Sequence, residues 1–264
     1  MHKIDVTSST KLHIKLYIAP LHNTMAPRII PEPGTLPNVS HDAAQAFQIL
    51  KDGGLIVAPT DVGYALLTST PTGIQRIFAA KGRHQTHNIG ILGTYAQHRA
   101  IHVLPSARFA FTRVMTEEMG MMVGIVAPFD ADNLHPHLAA LDAATLDQVT
   151  KGNTVCVVIP EGPFCRELVR LCEEESMLVF GTSANATGQG QRFRVADVGD
   201  EVLAHADLVV DYGLQKWHTY GSGAVNFDAE NMRVLRKGVA YEVFVDRAKR
   251  WFPQLLEEAG GSFE

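Results

Sequence analysis

Residues 177–190, MLVFGTSANATGQG, join a short apolar run to a cluster of small hydroxyl and amide side chains. The apolar run predicts a buried strand that ends where the polar cluster begins. Ser183 and Asn185 stand two residues apart, so on extended backbone both side chains point to the same side. Such residues also form local turns with their own backbone. The segment therefore predicts either a strand-end turn or a polar binding edge.

Working outward from this strand, short apolar runs alternate irregularly with amphipathic stretches. Several consecutive runs lack a helix between them, which favours an α/β fold with a twisted, mixed sheet flanked by helices. The strands are predicted at residues 55–59, 63–69, 88–94, 122–129, 154–160, 177–183, 207–213, 223–228 and 232–238. The helices are predicted at residues 41–54, 71–83, 106–120, 163–175, 195–206 and 241–252.

The domain organisation follows from the first 40 residues, where proline-rich sequence precedes a helix that Ser40 can cap. We predict an N-terminal extension over residues 1–40 and a single nucleotide-binding domain over residues 41–264, which closes with a C-terminal helix. Within the connection from residue 130 to Gly152, a polar, alanine-rich segment is expected.

Composition excludes several classes of protein. The 264 residues carry a net charge of -5, which disfavours a broad face for duplex nucleic acid. The 3 cysteines have neither disulfide nor zinc spacing, so we expect packing residues and a reducing, cytoplasmic location. Apolar runs are too short to predict a membrane span.

Two further polar segments lie at predicted element ends. Thr60 and Asp61 follow a strand that ends at Pro59, and Lys81 and Arg83 leave the end of a helix together. A turn explains the first pair and a helix C-terminus explains the second. If these groups and the 183–185 segment converge, they suit a polyanion such as a nucleoside triphosphate. P-loop, dinucleotide-fold, nucleophile-elbow and HExxH motifs are missing from the sequence, and we predict no dedicated metal site.

In this order and spacing the residues resemble the threonylcarbamoyl-AMP synthase family, the YrdC-like domains, over roughly residues 44–238. The resemblance is carried by Pro59-Thr60-Asp61, Tyr64, Lys81-Gly82-Arg83, Ser183-Ala184-Asn185, Gly213, Ser222 and Arg236. It implies a sheet folded around a deep, basic cavity. It also implies that ATP with Mg²⁺, bicarbonate and L-threonine form threonylcarbamoyl-adenylate and pyrophosphate. That product feeds modification of adenosine 37 in tRNA, so tRNA-modification proteins are possible partners.

The resemblance assigns roles to nine residues in two groups. Lys81, Arg83, Ser183 and Asn185 are the predicted catalytic residues, because negative charge grows on phosphate oxygens during adenylate transfer. The predicted substrate- and nucleotide-binding residues are Thr60, Asp61, Tyr64, Ser222 and Arg236. Thr60 and Ser222 are expected to orient the amino acid, and Arg236 to hold a phosphate.

The sequence also departs from the family pattern, which marks it as a divergent member. His84 and Asn88 replace prolines, Val158 replaces an arginine, and Gly223 replaces a threonine. The nucleotide-facing positions are better kept than those expected to select the small substrate. Three hypotheses follow: the threonine-specific synthase, a paralogue acting on another amino acid or amine, and a nucleotide- or RNA-binding module without turnover.

Overall fold

The computed structural model describes residues 26–82 and 88–260. Within these ranges one mixed sheet of eleven strands forms the centre of the molecule. The strands are β1 (Arg28–Ile29), β2 (Leu55–Pro59), β3 (Tyr64–Thr68), β4 (Gly90–Leu92), β5 (Val123–Pro128), β6 (Thr150–Lys151), β7 (Thr154–Ile159), β8 (Val179–Ser183), β9 (Leu208–Val210), β10 (Val225–Asp228) and β11 (Arg233–Arg236).

Helices cover this sheet at several places. They are α1 (Val39–Lys51), α2 (Pro71–Ala80), α3 (Tyr95–Ile101), α4 (Ser106–Arg113), α5 (Pro136–Ala139), α6 (Ala143–Val149), α7 (Pro163–Glu174), α8 (Asp200–Leu203), α9 (Tyr241–Trp251) and α10 (Pro253–Glu258). A π-helical turn at Val114–Glu118 continues α4, and a 3₁₀ turn at Val195–Asp197 precedes α8. Among the residues that the structure describes, no helix has both the length and the apolar character needed to cross a bilayer.

The strand order is β1-β9-β2-β3-β8-β4-β7-β5-β10-β11, with β6 paired to β7 beside this path. Four pairs are parallel, namely β1 with β9, β2 with β9, β4 with β7, and β5 with β10. The others are antiparallel, including the β2–β3 hairpin and the central β4–β8 and β5–β7 pairs. The predicted mixed α/β sheet is therefore confirmed.

The core lies on both faces of the sheet. On one face, α1 and α7 bury Leu50, Phe164 and Leu168 against β2 and β3. On the opposite face, α2 packs on β3 and β7, while α4 and α9 pack on β5 and β10. In β7, buried Val155, Val157 and Ile159 alternate with half-buried Thr154, Cys156 and Val158. The second set faces a cavity because no helix of the described residues fills that part of the first face.

Local structure differs from the sequence predictions in several places, and α3 and α10 are not among the predicted helices. Asn38, not Ser40, caps α1, since its side-chain oxygen accepts from His41 N–H at 3.4 Å. β1 lies inside the predicted N-terminal extension and pairs with β9. The predicted connection before Gly152 contains two short helices and β6. The predicted helix at residues 195–206 is a 3₁₀ turn and one α-helical turn, interrupted at Gly199.

Candidate functional site

A cavity of about 350 Å³ opens on the uncovered part of the sheet. Its floor includes a row of cross-strand neighbours, Leu92–Val158–Gly124–Asn226–Arg236, which crosses five strands. Because Gly124 has no side chain, the amide of Asn226 can lie over it; a Cβ there would stand 2.6 Å from Asn226 Oδ1. This row therefore changes from apolar side chains to an amide and then to a guanidinium.

The β2–β3 turn forms one wall of the cavity. Thr60 is buried, and both its backbone N–H and its hydroxyl donate to the Gly63 carbonyl at 2.8 Å. Asp61 adopts the left-handed conformation at φ 68°, and its carboxylate pairs with Lys216. Thr60 therefore belongs both to the turn and to the cavity lining. Its hydroxyl donates within the turn and can still accept a hydrogen bond from a ligand. Asp61 faces Lys216, and the described lining does not include it.

The Lys81 and Ser183–Asn185 segments meet directly, although more than 100 residues separate them. Lys81 Nζ donates to the Ser183 carbonyl at 2.5 Å, the Asn185 carbonyl at 2.6 Å and Asn185 Oδ1 at 3.1 Å. Thr187 closes the junction by donating to the Lys81 carbonyl through its N–H and its hydroxyl. The convergence expected from the two motifs is thus observed.

The members of this junction differ in how they meet the cavity. Ser183, the last residue of β8, is half-buried and lines it. Lys81 and Asn185 are buried behind the turn, and the described lining includes neither. In this arrangement both hold the shape of the turn that presents Ser183. Arg83, the other predicted catalytic residue, lies outside the described residues.

Tyr64 anchors the segment that follows β9. Its hydroxyl donates to the Gly213 carbonyl at 2.7 Å and to Asp211 Oδ1 at 3.2 Å, and it accepts from the Tyr212 N–H. Burial, then the charge of Asp211, raises the pKa of the Tyr64 phenol. Tyr64 also lines the cavity, but its hydroxyl serves this anchor.

The cavity mouth carries the remaining predicted residues. Ser222 is buried and lines the cavity, and exposed Arg236 lines it while donating to the Gly221 carbonyl at 3.4 Å. Lys151, in the β6–β7 hairpin, is a second cation in the described lining, which contains no carboxylate. Sequence reasoning missed Lys151 and Asn226, since neither belongs to a recognised motif. Alternation along the run GAVNFD could have identified Asn226 as the polar residue of a half-buried strand.

The cysteines occupy two different environments. Cys165 and Cys172 are fully buried beneath α1 and β2, as the packing hypothesis expects. Cys156 instead faces the cavity floor. Burial raises the pKa of its thiol to about 12, although the charge of Arg236 lowers it. Burial thus disfavours the thiolate form of Cys156.

The described lining of the cavity offers no carboxylate to Mg²⁺. Within residues 26–82 and 88–260, no three histidine, cysteine or carboxylate side chains come together as metal ligands. Mg²⁺ prefers carboxylate and phosphate oxygens, so this lining does not fit a resident Mg²⁺ ion. A nucleotide could bring the ion on its own phosphates.

Comparisons with known proteins place the chain among related folds. A family model for Sua5, YciO and YrdC, described as telomere recombination, matches residues 48–238. The hypothetical protein smu.1377c from Streptococcus mutans UA159 is 25% identical, with a TM-score of 0.69, over 87% of this chain and 96% of that chain. No curated protein sequence matches the chain.

Two further solved structures share the fold. P. abyssi Sua5 complexed with L-threonine is 19% identical with a TM-score of 0.60, over 81% of this chain but 57% of its own length. E. coli YciO is 17% identical with a TM-score of 0.59, over 81% of this chain and 97% of that chain.

Proposed function

Since this chain belongs to the Sua5/YciO/YrdC family, we propose that it condenses bicarbonate, an amino acid and ATP into a carbamoyl-adenylate and pyrophosphate. The observation that carries the proposal is the meeting of Lys81 with the Ser183–Asn185 turn beside a deep cavity. The lining described there bears Lys151 and Arg236 without a carboxylate, which suits a polyanionic substrate. The complex of P. abyssi Sua5 with L-threonine supports an amino acid as the second substrate.

The proposed reaction has two bond-forming steps. The amine attacks the carbon of bicarbonate, and loss of water leaves a carbamate. A carbamate oxygen then attacks the α-phosphorus of ATP, and the bond to the β-phosphate oxygen breaks to release pyrophosphate. With L-threonine the product would be the threonylcarbamoyl-adenylate used in tRNA modification.

The cationic side chains at the cavity mouth are proposed to stabilise the negative charge of the transition state. During the second step negative charge grows on the α-phosphate oxygens and on the leaving pyrophosphate, and donors already aimed at those oxygens lower the barrier. Arg236 can make a bidentate contact, because its 3.4 Å bond to Gly221 is weak. We assign the pyrophosphate side to Lys151 and Arg236, and the family resemblance adds Arg83 as a further phosphate ligand. Mg²⁺ enters as part of the MgATP substrate.

Hydroxyl groups orient the smaller substrates. Thr60 Oγ1 donates to Gly63, so its lone pairs can accept from the attacking amine. Ser183 and Ser222 line the same cavity and are assigned to the carbamate and the amino acid. Lys81 and Asn185 hold Ser183 in place. Tyr64 positions the segment at Gly213, and Asp61 holds the β2–β3 turn through Lys216.

The test is pyrophosphate release from ATP by the full chain, with and without bicarbonate, across the twenty amino acids, with mass detection of the adenylate. We expect release that requires bicarbonate and one class of amino acid. Release without bicarbonate would contradict the reaction. ATP binding with no release under any condition would instead support the binding-module hypothesis.

Arg236→Ala tests the cationic mouth. Losing a charge-assisted phosphate contact costs about 1.5–3 kcal/mol, so ATP affinity should fall roughly 10- to 100-fold. Arg233→Ala is the matched control, since Arg233 lies exposed on the same strand and its ion pair with Asp228 spans 3.6 Å. Equal ATP affinity in the two variants would remove Arg236 from the nucleotide site.

A further inference from the structure

One wall of the cavity is apolar, although four separate segments build it. Val62, Met122 and Ala224 are 3%, 8% and 7% exposed and pack together with Val158 and Val239. Four of these five residues line the cavity; Val239 lies behind them. A wall assembled from the β2–β3 turn, the start of β5, β7 and the start of β10 is a built feature of the fold.

Polar groups stand beside this wall in a defined order. Val158 neighbours Gly124 across β5, and Gly124 neighbours Asn226, whose amide occupies the space over the glycine. Arg236 is the next cross-strand partner of Asn226. Neighbouring strands lie about 4.8 Å apart, so the amide comes one to two strand spacings from the wall. Arg236 and Cys156 line the same cavity.

This order matches one class of amino acid. Resting on the proposed function, we propose that the amino-acid substrate carries an apolar side chain, which packs against Val62, Met122 and Val158, while its carboxylate faces the amide of Asn226. A side-chain hydroxyl packed on Val62, Met122 and Val158 would lose its water partners and gain none from these three side chains. A carboxylate near Asn226 would gain the N–H donors of that amide, while Arg236 stays on the pyrophosphate side.

L-Valine and L-threonine are the sharpest pair of probes. They have nearly the same shape, and a methyl group in valine replaces the hydroxyl of threonine. A hydrophobic pocket discriminates between such isosteres by about 100-fold at most. We therefore expect L-valine to bind about 10- to 100-fold more tightly than L-threonine.

The experiment is titration calorimetry of both amino acids against the full chain, saturated with an ATP analogue whose α,β bridge is a methylene group. Val158→Thr adds a hydroxyl to the wall at constant shape, and Met122→Gln adds an amide. In both variants the preference for valine should shrink to about threefold or less. Val103→Thr is the control, because Val103 is exposed outside the cavity.

The outcomes separate this inference from the proposed reaction. Equal or tighter binding of L-threonine to the unmodified chain, or no binding of either amino acid, overturns the apolar substrate class. An unchanged ratio in both wall variants overturns it as well. Pyrophosphate release that prefers threonine keeps the reaction and rejects the substrate class. Preferential binding of valine without pyrophosphate release keeps the substrate class and rejects the reaction.

Discussion

Lys81 stabilises the turn that forms part of the candidate site, although it does not line the cavity. Its Nζ lies against two backbone carbonyls and one side-chain amide oxygen, all from the Ser183–Asn185 turn. Its 5% exposure means that water cannot replace these contacts. The order of the motifs along the chain predicted that Lys81 and this turn belong together. Only their contact shows that the lysine shapes the turn.

Replacing Lys81 by methionine tests this role. The Asn185 carbonyl and Oδ1 lose their buried donor and the Ser183 carbonyl keeps only the Asn185 N–H, so the free energy of unfolding should fall by about 3–5 kcal/mol. ATP affinity should fall with it, because the turn no longer presents Ser183. Urea denaturation measures the first effect and calorimetry the second.

Lys51→Met is the control for this substitution, because Lys51 makes an exposed ion pair with Glu175. Its loss should cost no more than about 1 kcal/mol. A Lys81→Met protein as stable as the control would show that the lysine does not hold the turn.

At the level of elements, α3 is joined to the sheet by a chain of neutral imidazoles. His102 Nε2 lies 3.2 Å from the Val155 carbonyl, which can only accept, so that nitrogen carries a proton. His102 Nδ1 then accepts from His98 Nδ1 at 2.6 Å, and His98 Nε2 lies 2.9 Å from Thr112 Oγ1, whose hydroxyl donates to the Phe109 carbonyl at 3.0 Å. The chain links α3, α4 and β7 behind the cavity floor.

This helix went unpredicted, although its capping box was present in the sequence. Thr94 Oγ1 accepts from Gln97 N–H, and the Gln97 side chain accepts from Thr94 N–H, both at 3.1 Å. The T-x-x-Q spacing is a known helix start. The seven residues that follow are too few for a clear periodic pattern.

The imidazole pair predicts a loss of stability in acid. Burial lowers the pKa of both histidines, and the charges of His102 and Arg99 lower the pKa of His98 further. As the pH falls through about 6.5, these histidines become protonated in the unfolded chain but stay neutral in the folded chain. The free energy of unfolding is therefore highest above that pH and decreases below it. The expected slope is about 1.4 kcal/mol per pH unit for each histidine.

Urea unfolding between pH 7.5 and 5 measures this slope. His98→Leu should remove about half of the contribution of the pair, and His41→Leu, at an exposed position of α1, is the control. A slope that His98→Leu does not alter would exclude the pair as its origin.

For the whole molecule, the sheet reaches beyond the predicted domain boundary at Ser40. The Val209 and Asp211 N–H groups donate to the Pro27 and Ile29 carbonyls at 2.9 and 2.8 Å. Asp211 also accepts from Tyr64, so β1 supports an edge that continues into the cavity wall. An extension that merely preceded the domain would make no such contacts.

Truncation tests this part of the architecture. A chain that starts at residue 31 lacks β1, so the N–H groups of Val209 and Asp211 lose their acceptors. The apolar surface of α1 and β9 that Ile29 covers also becomes exposed. We expect it to be about 1–3 kcal/mol less stable than a chain that starts at residue 26. Equal urea midpoints for the two chains would show that the folded unit begins after β1.

Local chemistry was sufficient to predict most strands, the longer helices and the polar residues at their ends. Apolar periodicity, capping and turn preferences depend on neighbours within a few positions, so they can be recognised in a single sequence. They placed β2, β7, α2 and α7 within a few residues of their observed bounds. The polar residues at strand ends pointed to Thr60 and Ser183, and the family resemblance added Ser222 and Arg236; all four line one cavity.

Strand order and register decided the rest. The pairing of Asp61 with Lys216, the burial of Lys81 behind Ser183, and the position of Asn226 between Val158 and Arg236 all join residues distant in sequence. A shift of one residue in any of these strands would turn its side chains to the opposite face. Register is set by packing on both faces of the sheet together, and no short segment carries that information.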